Sequence, residues 1–179
     1  MRPFRLIAAS TALATTLLLA GCGGDDATVA NGDGASGATT ATVAWMLDAE
    51  PAGVVPVGEA KASASEGDRV VVFGRIGGNR APMTEGSPVF LIVDKKLPHC
   101  GEIPGDNCPV PWDYCCEPKD SLTANSATVQ LVAGEGADPM AAGLEPLDEV
   151  VIVGTVGPRP NQDVFTIMAT GVYRRSTSG

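Results

Sequence analysis

Two valine-rich segments that lie 80 residues apart share one residue pattern, and this repeat is the strongest constraint on the fold. Residues 67–77 read GDRVVVFGRIG and residues 147–157 read LDEVVIVGTVG, so both follow Asp-x-Val-Val-apolar-apolar-Gly-x-apolar-Gly. Runs of β-branched residues favour strands, and a continuous apolar run is typical of a strand buried on both faces. Gly74 and Gly154, in mid-strand, allow the bulge or sharp coil that closes a small barrel. The repeat therefore predicts two matched strands of a closed or nearly closed β-barrel.

Three further strand-like runs complete an all-β domain. The five predicted strands span residues 69–76, 89–94, 127–132, 150–156 and 164–173. Segment 137–149 has room for at most a turn or two of helix between the third and fourth strands. This order of elements resembles the OB fold, a small five-stranded and partly open barrel. A β-sandwich is the alternative, because short strands at this spacing also suit one.

A short helix and a valine-rich core are also predicted. Residues 57–66 contain helix formers without an internal glycine, so we expect a helix that packs through Val57, Ala60 and Ala64. Aromatic residues make up only 4% of the chain, so aliphatic side chains must fill the core. Among the strand residues, we expect Val71, Ile152 and Ile167 to be buried.

The first 42 residues are predicted to form an export signal followed by a flexible linker. Arg2 and Arg5 precede an apolar stretch, residues 6–20, that is too short to span a bilayer comfortably. The stretch ends in Leu-Ala-Gly-Cys, which resembles the bacterial lipobox. That resemblance implies cleavage after Gly21 and lipidation of Cys22; an ordinary secretory signal or an uncleaved anchor is the alternative. The predicted organisation is a signal peptide (1–21), a lipidated N-terminus with a flexible linker (22–42), the β domain (43–175) and a disordered tail (176–179).

The charge of the processed chain excludes some partners. The full chain has a net charge of −9, and residues 1–21 hold two arginines and no acidic residue, so processing leaves −11. Such a surface repels nucleic acid and anionic headgroups, and we expect attachment to the membrane through lipid alone. In Gram-negative lipoproteins, which the start of the chain resembles, an aspartate after the lipidated cysteine retains the protein in the inner membrane. This chain has Gly23 there, so the resemblance implies the outer membrane of the cell envelope, with the domain facing the periplasm or the exterior.

All the cysteines of the β domain lie in one long connection, residues 95–126. Their spacing is C-x7-C-x6-CC, at Cys100, Cys108, Cys115 and Cys116. In an exported protein, four cysteines favour disulfides, and each closed loop of this size contributes about 2–3 kcal/mol. A vicinal bridge between Cys115 and Cys116 would be strained, so we expect each of them to pair with either Cys100 or Cys108.

A soft-metal site is the alternative interpretation of the same loop. The single histidine, His99, adjoins Cys100, and with the four thiols it supplies ligands suited to zinc, copper or iron. A redox-active Cys115–Cys116 pair is a third possibility. If the disulfides form, no cofactor is expected.

The cysteine loop also carries the aromatic residues that suggest a binding surface. Trp112, Asp113 and Tyr114 lie among prolines, and a rigid aromatic pair suits an envelope protein or a small ligand. A purely structural role, with Trp112 closing the end of the barrel, is the alternative. With one histidine beside a cysteine, the sequence contains no catalytic triad, and we expect no enzymatic activity.

Four segments together resemble a group of bacterial, planctomycete-type lipoproteins. They are GDRVVVFGRIGG (67–78), IPGDNCPVPWDYCCEPKDSL (103–122), NSATVQLV (125–132) and VVIVGTVGPRP (150–160). The resemblance covers the chain from about Val57 to Tyr173 and implies an exported location and an OB-like domain. We expect a lipid-anchored, non-enzymatic binding module with a disulfide-stapled loop; a metal-binding or redox protein that uses His99 and the cysteines is the alternative.

Overall fold

The computed structural model describes residues 43–132, 134 and 136–176. The predictions for the signal peptide, for lipidation of Cys22, for the linker up to residue 42 and for residues 177–179 lie outside the described residues.

Within that part, the chain forms six strands and two short helices. The elements are β1 (Val55–Pro56), α1 (Val57–Ser63), β2 (Arg69–Ile76), β3 (Val89–Val93), a 3₁₀ turn (Cys100–Glu102), α2 (Lys119–Ala124), β4 (Ser126–Leu131), β5 (Glu149–Val156) and β6 (Thr166–Arg174). All five predicted strands are confirmed to within two residues. Helix α1 begins as predicted but ends at Ser63, because Ala64 is already extended (ψ 143°). The sequence did not predict β1, the 3₁₀ turn or α2, while segment 137–149 forms turns, with one helix-like bond from the Ala142 amide to the Asp138 carbonyl.

Strands β2 to β6 close into a five-stranded barrel of OB type. Antiparallel pairing joins β2 to β3, β3 to β4 and β5 to β6, and β4 pairs with β6 in parallel. Pairing of β2 with β5 over seven residue pairs completes the circle. The predicted barrel is therefore confirmed, and the sandwich alternative is wrong.

The repeated sequence pattern produces the same turn twice. The Asp68 carboxylate accepts a hydrogen bond from the Ser65 amide at 2.7 Å, and the Asp148 carboxylate accepts one from the Glu145 amide at 2.9 Å. In each turn the aspartate amide also donates, at 3.1 Å, to the carbonyl of that same serine or glutamate. Each aspartate thus closes a tight turn that leads into its strand.

The two turns are related by an approximate twofold axis between β2 and β5. The residue before each aspartate has a left-handed backbone, Gly67 with φ 87° and Leu147 with φ 76°. The Gly67 amide donates to the Val156 carbonyl at 2.9 Å, and the Leu147 amide donates to the Ile76 carbonyl at 2.8 Å. Each turn therefore caps the far end of the other strand.

The core is aliphatic, as predicted, but the strands are not equally buried. Ile152 and Ile167 are fully buried, and in β5 three consecutive residues from Val150 have no exposure. In β2 burial alternates from Arg69 to Phe73, and Val71 on the outer face is only partly buried. The prediction that Val71 is a core residue is wrong because the outer face of β2 is only partly covered at this position, whereas β2 is buried on both faces from Gly74 to Ile76. Val57 of α1 packs into the same core.

The two mid-strand glycines allow close contacts of different kinds. A Cβ on Gly154 would lie 2.4 Å from the Met168 carbonyl oxygen, at the place where the register between β5 and β6 shifts. A Cβ on Gly74 would lie 2.9 Å from Val57 of α1 and 3.2 Å from Ile92. Gly154 therefore permits the predicted bulge, whereas Gly74 admits the helix against the barrel.

Candidate metal centre

The cysteine loop joins β3 to β4, and its two ends are held together at the barrel. The Asp94 amide donates to the Asn125 carbonyl at 2.8 Å, so the entry and exit of the loop are bonded directly. The buried Asp94 carboxylate accepts hydrogen bonds from the Gly58 amide at 3.0 Å and from the Lys96 amide at 3.1 Å. Hydrogen bonds of Asp94 therefore attach the start of the loop to both the barrel and α1.

The 3₁₀ turn that carries Cys100 is attached to the wall of the barrel. Glu102, in the same turn, accepts from the His99 amide at 3.3 Å and forms an ion pair at 3.1 Å with Arg75 of β2. Arg75 is buried. Although burial raises the pKa of Glu102, the hydrogen bond and charge of Arg75 outweigh this and hold it below its ordinary value of 4.5. Glu102 is thus ionised at neutral pH, and its ion pair fixes the first cysteine relative to the barrel.

The segment that carries Cys115 is docked through Tyr114. The Tyr114 side chain is 1% exposed and packs with Val93, Leu97 and Leu122 in a second hydrophobic cluster. Its ring lies against Gly77, where an added Cβ would be 3.0 Å from Cε2. The prediction that Tyr114 belongs to a binding surface is therefore wrong, because the ring covers a glycine at the end of β2.

The remaining members of the predicted surface are only partly accessible. The Trp112 indole donates to the Arg80 carbonyl at 3.2 Å, and Asp113 accepts from the Tyr114 amide at 2.8 Å. Both side chains are half-buried. Trp112 helps to fix the loop to the turn after β2, while the Asp113 carboxylate bonds within its own loop, so the predicted aromatic pair does not form a joint surface.

Main-chain hydrogen bonds align the two cysteine-bearing segments. The Cys100 amide donates to the Asp113 carbonyl at 2.8 Å, and the Gly101 amide donates to the Pro111 carbonyl at 3.0 Å. As a result, Cys100 lies beside Cys115, which is 15 residues further along the chain.

Three sulfur atoms converge where these segments meet. The Sγ atoms of Cys100 and Cys115 are 3.3 Å apart, and those of Cys115 and Cys116 are 4.0 Å apart. All three lie within 4.8 Å of one another. A metal bound by thiolates at about 2.3 Å requires sulfurs about 3.8 Å apart in tetrahedral geometry and about 4.0 Å apart in trigonal geometry. The observed separations bracket these values, so the three side chains fit a thiolate-bound metal ion.

Two more groups adjoin the three sulfurs. The Cys108 thiol lies beside those of Cys100 and Cys115, where it contributes to their raised pKa values. Its Sγ is 3.4 Å from the Val110 carbonyl oxygen. The Asp106 carboxylate is 3.5 Å from the Sγ of Cys116. Neither Cys108 nor Asp106 belongs to the set of ligand atoms that lie within 4.8 Å of one another, so either would have to move towards the three sulfurs to supply a fourth ligand.

The predicted disulfides do not occur in the structure. The four described cysteines are free, and the 3.3 Å between the sulfurs of Cys100 and Cys115 exceeds the bonded distance of about 2.05 Å. The Cys108 thiol is turned towards a main-chain carbonyl. The ion pair between Arg75 and Glu102 and the packing of Tyr114 hold the loop closed without covalent staples.

The thiols of Cys100, Cys115 and Cys116 carry their protons at neutral pH. Burial raises the pKa of Cys100 to about 12. A hydrogen bond from Cys100 lowers the pKa of Cys115, but burial and the neighbouring Cys116 thiol outweigh it, and the pKa stands above 9.0. The pKa of Cys116 is also raised above its ordinary value. A hydrogen bond with Cys115 lowers this pKa, but burial and the neighbouring Asp106 carboxylate raise it by more. A metal bound here must displace protons, so its affinity increases with pH.

His99 is not one of the converging ligands. Its Nδ1 lies 2.7 Å from the Pro111 carbonyl oxygen, and its Nε2 lies 3.4 Å from the Glu102 carboxylate. Both ring nitrogens thus face protein oxygens, and the predicted role of His99 as a ligand is wrong. Its ring instead stabilises the 3₁₀ turn.

Several residues position the cysteines without contacting the three sulfurs, and the sequence patterns did not identify them. Arg75 and Glu102 set the position of Cys100, and Gly77 receives the ring next to Cys115. Arg75 did carry a signal, since it is a charged residue inside a valine-rich strand. Its partner Glu102 lies 27 positions away in an irregular loop, and no sequence signal identified it.

A polar groove of about 960 Å³ lies elsewhere, between α1, α2 and the β5–β6 connection. Its buried cation, Lys61, donates to the carbonyls of Thr123, Ser126 and Asp163. Arg159 bonds the Ala64 carbonyl and lies 5.1 Å over the Phe165 ring. These cations are engaged in holding segments together, so the cysteine cluster is the stronger candidate site.

Comparison with protein-family models finds no match, and comparison with curated proteins finds none. Among the described residues, no helix is long and apolar enough to cross a membrane.

Proposed function

We propose that this chain is a lipid-anchored protein of the bacterial cell envelope that binds one soft metal ion in its cysteine loop. The observation that carries the proposal is the convergence of the sulfurs of Cys100, Cys115 and Cys116 within 4.8 Å. The function remains that of a non-enzymatic binding module, with thiolate coordination in place of the disulfide staples expected from the sequence.

The donor set selects for thiophilic metals. Thiolates favour Cu⁺, Zn²⁺ and iron–sulfur centres over Mg²⁺ or Ca²⁺. Three thiolates satisfy Cu⁺, whereas Zn²⁺ takes four ligands and would recruit Cys108 or Asp106. The Cys115 and Cys116 side chains are exposed, so an ion can reach the cluster from solvent without opening the barrel.

Metal titration of the reduced protein tests the proposal. We expect one equivalent of Zn²⁺ or Cu⁺ to bind in competition with a chromophoric chelator. Substitution of Cys100, Cys115 or Cys116 by serine should weaken binding by at least about 100-fold, because each substitution removes one thiolate that binds the metal directly.

His99→Asn is the matched control for these variants. Asparagine can keep a donor towards the Pro111 carbonyl, so metal affinity should stay within about threefold of the wild type. Failure of the wild-type protein to bind either ion tighter than micromolar would refute the proposal. Loss of binding in a folded His99→Asn variant would show that the ligand assignment is wrong.

The proposed location rests on the start of the chain. Arg2, Arg5, the apolar stretch 6–20 and the Leu-Ala-Gly-Cys ending support export and acylation of Cys22, and Gly23 supports the outer membrane. The intact mass of the native protein should show lipid at a mature N-terminal Cys22, and Cys22→Ser should remain unprocessed or be released from the membrane. An unmodified N-terminus at any other residue would contradict the anchor.

A further inference from the structure

Two of the clustered sulfurs form a pair with unequal access to solvent. Cys100 is 3% exposed, while Cys115 is exposed at the surface, and their Sγ atoms are 3.3 Å apart. Moving the two sulfurs together by about 1.3 Å would bring them to bonding distance. An external reagent can therefore reach Cys115 first, and Cys115 is in turn in contact with Cys100.

We infer that Cys115 and Cys100 act as the attacking and the resolving thiol in exchange with external disulfides, and that this exchange empties the metal site. The inference rests on the proposed metal-binding function, because the same sulfurs serve as its ligands. The substrate class is a small, solvent-borne disulfide of the glutathione type.

The reaction is a two-step exchange that balances in atoms and electrons. In the first step, the Cys115 thiol gives up its proton and its sulfur attacks one sulfur of R–S–S–R; this forms Cys115–S–S–R and releases one R–SH. In the second step, the Cys100 sulfur attacks the Cys115 sulfur, its proton passes to the leaving thiolate, and a second R–SH departs. The protein loses two electrons as Cys100 and Cys115 become bonded, and one external disulfide is reduced to two thiols.

Cys116 does not replace either partner. Its sulfur is 4.0 Å from that of Cys115, and a bond between adjacent residues would be strained. Cys100, by contrast, lies on a separate segment, and the hydrogen bond from its amide to the Asp113 carbonyl holds that segment alongside Cys115. The resolving step therefore belongs to Cys100.

Bond formation and metal binding exclude each other. A bond between Cys100 and Cys115 leaves Cys116 as the single thiolate of the three, too few ligands to retain an ion. A bound ion conversely occupies the sulfur lone pairs that would attack a disulfide. Oxidation should thus release the metal, and the metal should protect the thiols.

Reaction of the full chain in detergent with glutathione disulfide tests this order of events. In the reduced, metal-free protein we expect the loss of two hydrogens by intact mass, and a Cys100–Cys115 linkage by peptide mapping. Cys100→Ser should stop at a stable glutathione adduct on Cys115. Cys116→Ser should still form the Cys100–Cys115 linkage, because the Cys116 sulfur takes part in neither step.

The metal-loaded protein provides the second arm. Preloading with Zn²⁺ should slow the oxidation at least about tenfold, and oxidation should release one equivalent of zinc to a chelating dye. A linkage that joins other cysteines, or a Cys100→Ser protein that accumulates no adduct on Cys115, would overturn the inference while leaving metal binding intact. Formation of the linkage in a protein that binds no metal would instead refute the proposed function and keep the thiol exchange.

Discussion

A single methyl group at Gly77 should lift the cysteine loop from the barrel. Gly77 and Gly157 occupy the same position in the repeated pattern, and neither has a left-handed backbone. A Cβ at Gly77 would lie 2.9 Å from the Trp112 carbonyl oxygen and 3.0 Å from the ring of Tyr114, whereas the nearest atom at Gly157 would be 3.4 Å away. Carbon atoms in good contact are about 3.5–4.0 Å apart, so Gly77→Ala requires the docked loop to retreat by about half an ångström.

The two substitutions should therefore have opposite effects on stability. Overpacking costs about 1–3 kcal/mol, and replacing glycine by alanine recovers about 0.4–1 kcal/mol through the unfolded chain. We expect Gly77→Ala to lose about 1–2 kcal/mol, and Gly157→Ala to be neutral or slightly more stable. With a urea slope of about 2 kcal/mol/M, the midpoint for Gly77→Ala should fall by about 0.5–1 M.

The reactivity of Cys100 provides a second measurement of the same displacement. The buried Cys100 thiol should react faster with a thiol reagent in Gly77→Ala, and at the wild-type rate in Gly157→Ala. Equal stability and equal thiol reactivity of the two variants would refute the reasoning, because the loop could not then rest on Gly77.

Three further substitutions test the barrel, the ion pair and the buried cation. Ile152→Ala should cost about 2–5 kcal/mol in urea unfolding, whereas Val71→Ala on the outer face should cost about 1 kcal/mol or less; equal losses would show that the assignment of faces is wrong. The pKa of Glu102 in the folded protein is below 4.5, so its ion pair stabilises the fold above that pH, and the contribution disappears as the pH falls through the lowered value. The urea midpoint of the wild type should therefore fall more than that of Glu102→Gln on acidification, and parallel curves would contradict the ion pair. Lys61→Met should cost about 1–3 kcal/mol in thermal or urea unfolding, because three main-chain carbonyls lose their donor. An unchanged midpoint would show that water replaces the ammonium group.

The barrel could be predicted from local patterns. Each strand is a run of β-branched residues that ends at turn residues, and the strand order suits few closed arrangements. The repeat also identified β2 and β5 as matched strands, and they pair directly. The prediction that β2 is buried on both faces throughout was wrong at Val71, because a continuous apolar run does not reveal which face another element covers. Val71 is half-buried because its outer face is only partly covered.

The spacing of the cysteines could not distinguish disulfides from a metal site. Both interpretations require four thiols in a short loop, and the choice depends on distances that arise only after the loop is docked. Tyr114 illustrates the difficulty. An aromatic residue between charged and polar neighbours in a proline-rich loop is typical of a surface, yet its ring packs on a glycine 37 positions earlier.

The amino-acid sequence alone therefore specified the strands, the barrel and the loop that contains every thiol of the β domain, because these follow from periodicity and turn residues close together in the chain. Only the tertiary structure placed three sulfurs within 4.8 Å and turned His99 away from them. That outcome depends on the ion pair between Arg75 and Glu102 and on the docking of Tyr114 against Gly77. Both contacts join residues that are distant in the chain, and they form only once the closed barrel provides a wall to pack against.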